Sequence, residues 1–121
     1  MSARGILLVD HGSRNAAANE SLGAIAELVR GRVAETAFVA IAHMELASPS
    51  VLEGVAELVL LGATEIVVVP YFLAAGRHST EDIPRLVAVA MEAHPTIRHR
   101  VAAPLGVDAL LAELVLKRSA G

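Results

Sequence analysis

Two histidines and one glutamate stand in short polar segments that directly follow apolar runs. His11 lies within Asp-His-Gly-Ser-Arg, His78 ends the segment Tyr-Phe-Leu-Ala-Ala-Gly-Arg-His, and Glu45 lies two residues beyond His43. Two neutral imidazoles and a carboxylate bind a divalent first-row metal and leave coordination positions open, as catalytic sites require. A free imidazole can also accept a proton near neutral pH. These three side chains therefore form a candidate metal site, provided that the fold brings them together.

The elements that must position these residues alternate between strand and helix. Runs rich in β-branched residues predict four strands, at 6–10, 37–42, 66–72 and 97–102. The intervening segments carry apolar residues at helical spacing, which predicts four helices that each cover one side of a sheet. The stripe of the last helix consists of Val107, Leu110, Leu111, Leu114 and Val115. Two pairs resemble capping boxes at helix starts, Ser50 with Glu53 and Ser79 with Asp82.

The regular alternation predicts a three-layer α/β/α sandwich around a parallel, flavodoxin-like sheet of order 2-1-3-4. In such sheets, ligands bind outside the carboxyl ends of the strands, where the strand order reverses. That point lies between the first and third strands, which His11 and His78 follow. Glu45 follows the neighbouring second strand, so the predicted topology brings all three side chains to one crevice.

Composition limits the class of protein. The chain has 121 residues, 55% of them apolar, a formal net charge of -3 and no cysteine. We therefore expect one domain over residues 1–121, without disulfides, thiolate catalysis or cysteine-held iron–sulfur clusters. The mild acidity and the few aromatic residues argue against a nucleic-acid surface. The first apolar run, 6–9, is too short for a membrane span, and a cytoplasmic location is expected.

Two other chemistries of this fold class fit the sequence poorly. The first strand-to-helix turn has neither the Gly-x-Gly-x-x-Gly pattern nor the Walker lysine, which argues against nucleotide binding. A phosphohistidine enzyme would need several arginines around one histidine, whereas only Arg14 stands near His11 in the sequence.

Three motifs together resemble a known family. They are Asp-His-Gly-Ser-Arg at 10–14, Met-Glu-Leu-Ala-Ser-Pro-Ser at 44–50, and Pro-Tyr-Phe-Leu-Ala-Ala-Gly-Arg-His-Ser-Thr-Glu-Asp-Ile-Pro at 70–84. The chain resembles the short sirohydrochlorin chelatases, both cobalt-inserting and iron-inserting, over almost its whole length. One departure is His43, where an apolar or aromatic residue is expected. We interpret its imidazole as filling the strand end rather than supporting a metal ligand.

The resemblance implies insertion of a divalent metal into a metal-free modified tetrapyrrole. It implies that His11 and His78 act as metal ligands or proton acceptors, that Glu45 assists as a third ligand, and that the protein is a homodimer. No cofactor is expected beyond the substrate metal, which is Co²⁺ by preference and otherwise Fe²⁺ or Ni²⁺. The expected substrate-binding residues are Arg14, Met44, Tyr71, Phe72, Leu73, Gly76 and Arg77.

Three alternative functions are also compatible with the sequence. Ferrous iron insertion for sirohaem would use the same residues. A non-enzymatic metal-delivery protein of the same fold would show identical ligands, although the apolar loop residues favour the enzyme. An α/β interaction module without a ligand would leave His11 and His78 without a role.

Overall fold

The structure, a computed structural model, describes residues 3–121, so the first two residues of the predicted 1–121 module lie outside it. Four strands alternate with four helices, and a π-helical turn leads into the third helix. The elements in chain order are β1 (Arg4–Asp10), α1 (Ala16–Arg30), β2 (Phe38–His43), α2 (Val51–Leu61), β3 (Glu65–Pro70), the π turn (His78–Asp82), α3 (Ile83–Met91), β4 (Arg98–Val101) and α4 (Ala109–Ala120).

The sheet is fully parallel and has the order β2-β1-β3-β4, which confirms the predicted topology. Leu7 in the central strand β1 pairs with Ala40 of β2 on one side and with Val68 of β3 on the other. All three residues are buried, as expected for strands that are covered on both faces. Strand β4 lies at the edge, where its alternating arginines are exposed.

Helices pack on both faces of the sheet. Helix α1 covers β1 and β2 on one face, around Leu8, Leu22, Ala26 and Val39. Helices α2 and α3 cover the other face, where the larger core forms. Its bulkiest buried side chains are Leu7, Val9, Val55, Leu58, Ile66, Val68, Ile83 and Val87.

Only one of the two predicted capping boxes forms. The Ser50 hydroxyl accepts a hydrogen bond from the Glu53 N–H, and the Glu53 carboxylate accepts one from the Ser50 N–H. Two hydrogen bonds lower the pKa of Glu53: the bond from the backbone N–H of Ser50 has the larger effect, and the bond with the Ser50 hydroxyl has the smaller one. This contribution to stability is therefore present above the pKa of Glu53 in the unfolded chain and is lost as the pH falls through the lower folded value. The box predicted for Ser79 and Asp82 is wrong, because Asp82 makes no cap bond and the π turn continues directly into α3.

The last helix departs from its predicted role. Helix α4 forms, but none of its side chains is buried, so its apolar stripe does not cover the sheet. Leu110 is 72% exposed and Val115 is 66% exposed. On the α1 side of the sheet, Val69 and Tyr71 stay half-buried at the margin of the smaller core. Apolar spacing predicts a helix with an apolar side, but it does not say which surface receives that side.

No helix within residues 3–121 combines the length and the apolar character needed to cross a membrane.

Candidate functional site

The three candidate ligands lie together at the carboxyl edge of the sheet. His11 follows β1 directly, Glu45 stands two residues after β2, and His78 begins the π turn beyond β3. The imidazole rings of His11 and His78 meet edge to face, with their centroids 4.8 Å apart. Glu45 Oε1 lies 3.3 Å from His11 Nε2. His11 therefore stands between the other two side chains.

The His78 side chain is held by the carboxylate four residues further along the same turn. His78 Nδ1 lies 2.9 Å from Asp82 Oδ2, and the other oxygen of Asp82 is 3.3 Å from the Arg85 guanidinium. A carboxylate at Nδ1 leaves Nε2 as the free ligating nitrogen and fixes the ring orientation, the usual arrangement for metal-binding histidines. The Phe72 ring stacks on the His78 imidazole at a centroid distance of 6.4 Å.

Sequence reasoning missed the role of Asp82. Its contact with His78 follows from an i,i+4 spacing on a helical turn, which is visible in the sequence. The resemblance of Ser79 and Asp82 to a capping box drew attention to the wrong partner. The pattern His-x-x-x-Asp within one turn was the available signal.

The loop that carries Glu45 is hydrogen-bonded to the backbone of Asp10 and His11 at the end of β1. The Met44 N–H donates to the Asp10 carbonyl at 2.9 Å, and the Glu45 N–H donates to the His11 carbonyl at 3.2 Å. Gly12 makes this close approach possible, since its φ is +92° and a Cβ there would stand 1.9 Å from the Glu45 carbonyl oxygen.

An open groove of about 220 Å³ adjoins these side chains. Its lining residues are Met44, Glu45, His78, Asp82, Arg85 and Leu86. The groove therefore combines apolar side chains, two of the candidate ligands, and the ion pair of Asp82 with Arg85.

The other predicted substrate-binding residues are spread more widely. Tyr71 packs with the smaller core on the α1 side of the sheet, whereas Phe72 packs with the larger core on the opposite side. Leu73 is exposed beyond them. Arg14 is also exposed. Arg77 lies 3.4 Å from Glu81 and does not line the groove.

Gly76 forms the base of the π turn. Its carbonyl accepts hydrogen bonds from the N–H and the hydroxyl of Thr80. No atom lies within 4 Å of the position that a Cβ would take there. Neither a close contact nor a positive φ therefore requires a glycine at position 76.

Within residues 3–121, no set of three His, Asp or Glu side chains is already arranged to hold a metal ion. The structure instead has a close pair, His11 with Glu45, and a second imidazole 4.8 Å from the first, between ring centroids. These side chains are between 41% and 57% exposed, so their remaining lone pairs are accessible to an incoming ion.

Known proteins are similar to this chain in sequence and in architecture. The chain is 40% identical to the chloroplastic sirohydrochlorin ferrochelatase of Arabidopsis thaliana, over 96% of this chain and 51% of that protein. It is 35% identical to the sirohydrochlorin cobaltochelatase of Methanococcoides burtonii, over 95% of this chain and 93% of the relative. The crystal structure of the sirohydrochlorin chelatase SirB from Bacillus subtilis subspecies spizizenii in complex with cobalt superposes with a TM-score of 0.88 at 33% identity.

The lengths of these proteins differ. The chain covers about half of the Arabidopsis protein (51%) and of the SirB chain (50%), but nearly all of the Methanococcoides protein (93%). The module described here thus occurs in relatives of about the same length and in relatives about twice as long. The family model described as CbiX matches residues 5–121, which include all three motifs around His11, Glu45 and His78. This chain belongs to the CbiX family.

Proposed function

We propose that this protein inserts a divalent metal, with cobalt favoured, into sirohydrochlorin. The observation that carries the proposal is the meeting of His11, His78 and Glu45 beside an open groove at the carboxyl edge of the sheet. Membership of the CbiX family supports it, because the named relatives are sirohydrochlorin cobaltochelatases and ferrochelatases. Residues 1–121 are proposed to act as one chelatase module.

In this proposal, His11, His78 and Glu45 hold the metal before it is transferred. Two imidazoles and one carboxylate bind a first-row ion and leave positions free for the pyrrole nitrogens. As the metal passes to the macrocycle, two pyrrole N–H protons must leave. An imidazole whose metal is departing regains a free lone pair and accepts one of them, and the other is released to water at the open groove.

The surroundings of the ligands fit a large, partly apolar substrate. Met44 and Phe72 flank the groove and His78, and the exposed Leu46 and Leu73 offer further apolar surface. Arg85 lines the groove and is 70% exposed, which leaves its guanidinium able to meet a substrate carboxylate. Arg14 and Arg77 are proposed to act in the same way at the periphery.

We expect a higher specificity constant for cobalt than for ferrous iron. The reason is that the relative of about the same length, from Methanococcoides burtonii, is a sirohydrochlorin cobaltochelatase. Nitrogen and oxygen ligands also bind cobalt somewhat more tightly than ferrous iron, and nickel more tightly still, but this order does not fix the biological metal. The test is an anaerobic optical assay of sirohydrochlorin with each ion in turn, measuring kcat/KM. A much higher kcat/KM for ferrous iron would assign the chain to sirohaem synthesis. Stoichiometric cobalt binding without any insertion would support a metal-delivery protein instead.

We further propose that the protein acts as a homodimer. In one copy, no side chain of α4 is buried, and Val69 and Tyr71 are only half-buried on the α1 side of the sheet. A second copy supplies an apolar surface of matching character. One copy also provides only an open groove, whereas most of a bound ligand's surface is normally buried.

The cytoplasmic location expected from the sequence stays a prediction.

The proposed dimer can be tested by placing a charge on the apolar side of α4. We expect wild-type protein to be dimeric by light scattering after size exclusion, and Leu114→Glu to shift it to the monomer because a charge would enter the apolar contact. Leu60→Glu is the matched control, since Leu60 is 89% exposed on α2, away from α4. A monomeric wild type that inserts metal at full rate on dilution would contradict the proposal.

A further inference from the structure

We propose that His43 is a positioning residue, which holds Glu45 against His11 through the loop between β2 and α2. The inference rests on the function proposed above, because it concerns the same metal site. His43 is the last residue of β2 and is 1% exposed. It lies two residues from Glu45 in the sequence, but its side chain lies beneath the site rather than in the groove.

The imidazole of His43 is bonded to the end of the neighbouring strand. Asp10 and His43 form the last register pair of β1 and β2, and His43 Nδ1 lies 2.5 Å from Asp10 Oδ1. A buried imidazole needs a hydrogen-bond partner, and this carboxylate, which is only 20% exposed, provides it. The two strand ends that precede His11 and Glu45 are thereby linked by side chains as well as by the sheet.

His43 also closes the base of the loop that carries Glu45. Its N–H donates to the Pro49 carbonyl at 2.8 Å, and it forms an isolated bridge with Ser50. Leu46 lies inside this loop with a φ of 69°. The loop is therefore tied at both ends to His43, and its first residues are bonded to Asp10 and His11.

The packing explains why the side chain, and not only the backbone, is needed. His43 Cβ lies 3.2 Å from the position that a Cβ on Gly12 would occupy, so the base of the His43 side chain lies beside the Gly12 turn, and its ring is bonded to Asp10. Without the imidazole, Asp10 loses this side-chain hydrogen bond, and Asp10 is the residue whose carbonyl accepts the Met44 N–H at the start of the Glu45 loop. The Glu45 carboxylate then moves away from His11 Nε2.

The test compares four variants of the full chain: three single substitutions and the double variant that combines His43→Leu with Glu45→Gln. His43→Leu keeps the volume but removes the donor, whereas His43→Asn keeps an N–H close to the place of Nδ1. The third variant, Glu45→Gln, provides a background in which the carboxylate is already absent. For each protein, metal insertion kinetics and cobalt affinity are measured, and urea unfolding establishes that the chain is folded.

We expect His43→Leu to lower kcat/KM by about 10- to 100-fold, the range found for residues that orient metal ligands. His43→Asn should recover most of this loss. In the Glu45→Gln background, His43→Leu should cause no additional loss, because the two residues act as one unit. Equal losses in both backgrounds, or an Asn variant that is folded but as impaired as the Leu variant, would overturn the proposal.

A structural measurement separates this proposal from the proposed function. In a crystal structure of His43→Leu, we expect Glu45 Oε1 and His11 Nε2 to lie farther apart than hydrogen-bonding distance, about 3.5 Å. A retained contact shows that His43 does not position Glu45, whatever the activity. If the wild type inserts no metal, the proposed function fails, and the His11–Glu45 distance in the variant still decides the role of His43.

Discussion

Replacing His11 and His78 together by alanine is expected to reduce metal insertion by more than about 100-fold. Loss of a residue that merely orients a ligand costs roughly 10- to 100-fold, so loss of two ligands should exceed that range. Cobalt affinity of the protein alone should fall with it, because only Glu45 of the close group remains. Isothermal titration with cobalt and the anaerobic insertion assay measure the two effects.

His99→Ala is the control for this experiment. His99 is exposed on the edge strand β4, away from the candidate ligands, and its removal tests for a general effect of losing an imidazole. It should leave insertion and cobalt binding at the wild-type level. A double variant of His11 and His78 that inserts metal at the normal rate would show that neither imidazole is needed for the reaction.

Gly12→Ala is expected to lower insertion by about 100-fold while leaving most of the fold intact. A Cβ at this position would stand 1.9 Å from the Glu45 carbonyl oxygen, at a φ of +92°. The left-handed backbone alone costs an alanine roughly 1–2 kcal/mol. The clash must also push the Glu45 loop away from His11, and a displacement of about 1 Å is enough for a loss of this order.

The matched control is Gly23→Ala. Gly23 lies within α1, where no atom stands within 4 Å of the added methyl group, and alanine suits a helix better than glycine. Activity should therefore be unchanged and thermal stability equal or higher. Wild-type activity in Gly12→Ala would mean that the loop can move without harm, and that the contact between Glu45 and His11 is not needed for insertion.

The sheet and the meeting of the candidate ligands follow from the sequence. Apolar runs in β1 and β3 are continuous because both faces of the sheet are covered, and this pattern differs from that of the helices. Once the strand order is 2-1-3-4, residues that follow β1, β2 and β3 must lie at one edge. His11, Glu45 and His78 are separated by tens of residues, but their positions after strands were sufficient to predict their proximity.

The contacts that the sequence did not predict are those in which a side chain or a helix face has more than one possible partner. Asp82 was able to cap a helix or to contact His78 four residues before it, and the sequence did not decide between these two partners. The burial of His43 was expected, but not its bond to Asp10, because sequence gives a residue's place in a strand without the side chain opposite. The exposed α4 shows the same limit, since an apolar stripe does not identify the surface that it contacts.

The two imidazoles belong to different layers of the molecule. His11 directly follows β1, one of the two central strands, which is paired on both sides, whereas His78 starts a turn that continues into α3. The distance between the two rings is therefore set by how α3 packs on the sheet, and not by strand pairing alone. Under the function proposed above, we therefore expect release of the metal to depend on the packing of α3 and its turn rather than on the sheet.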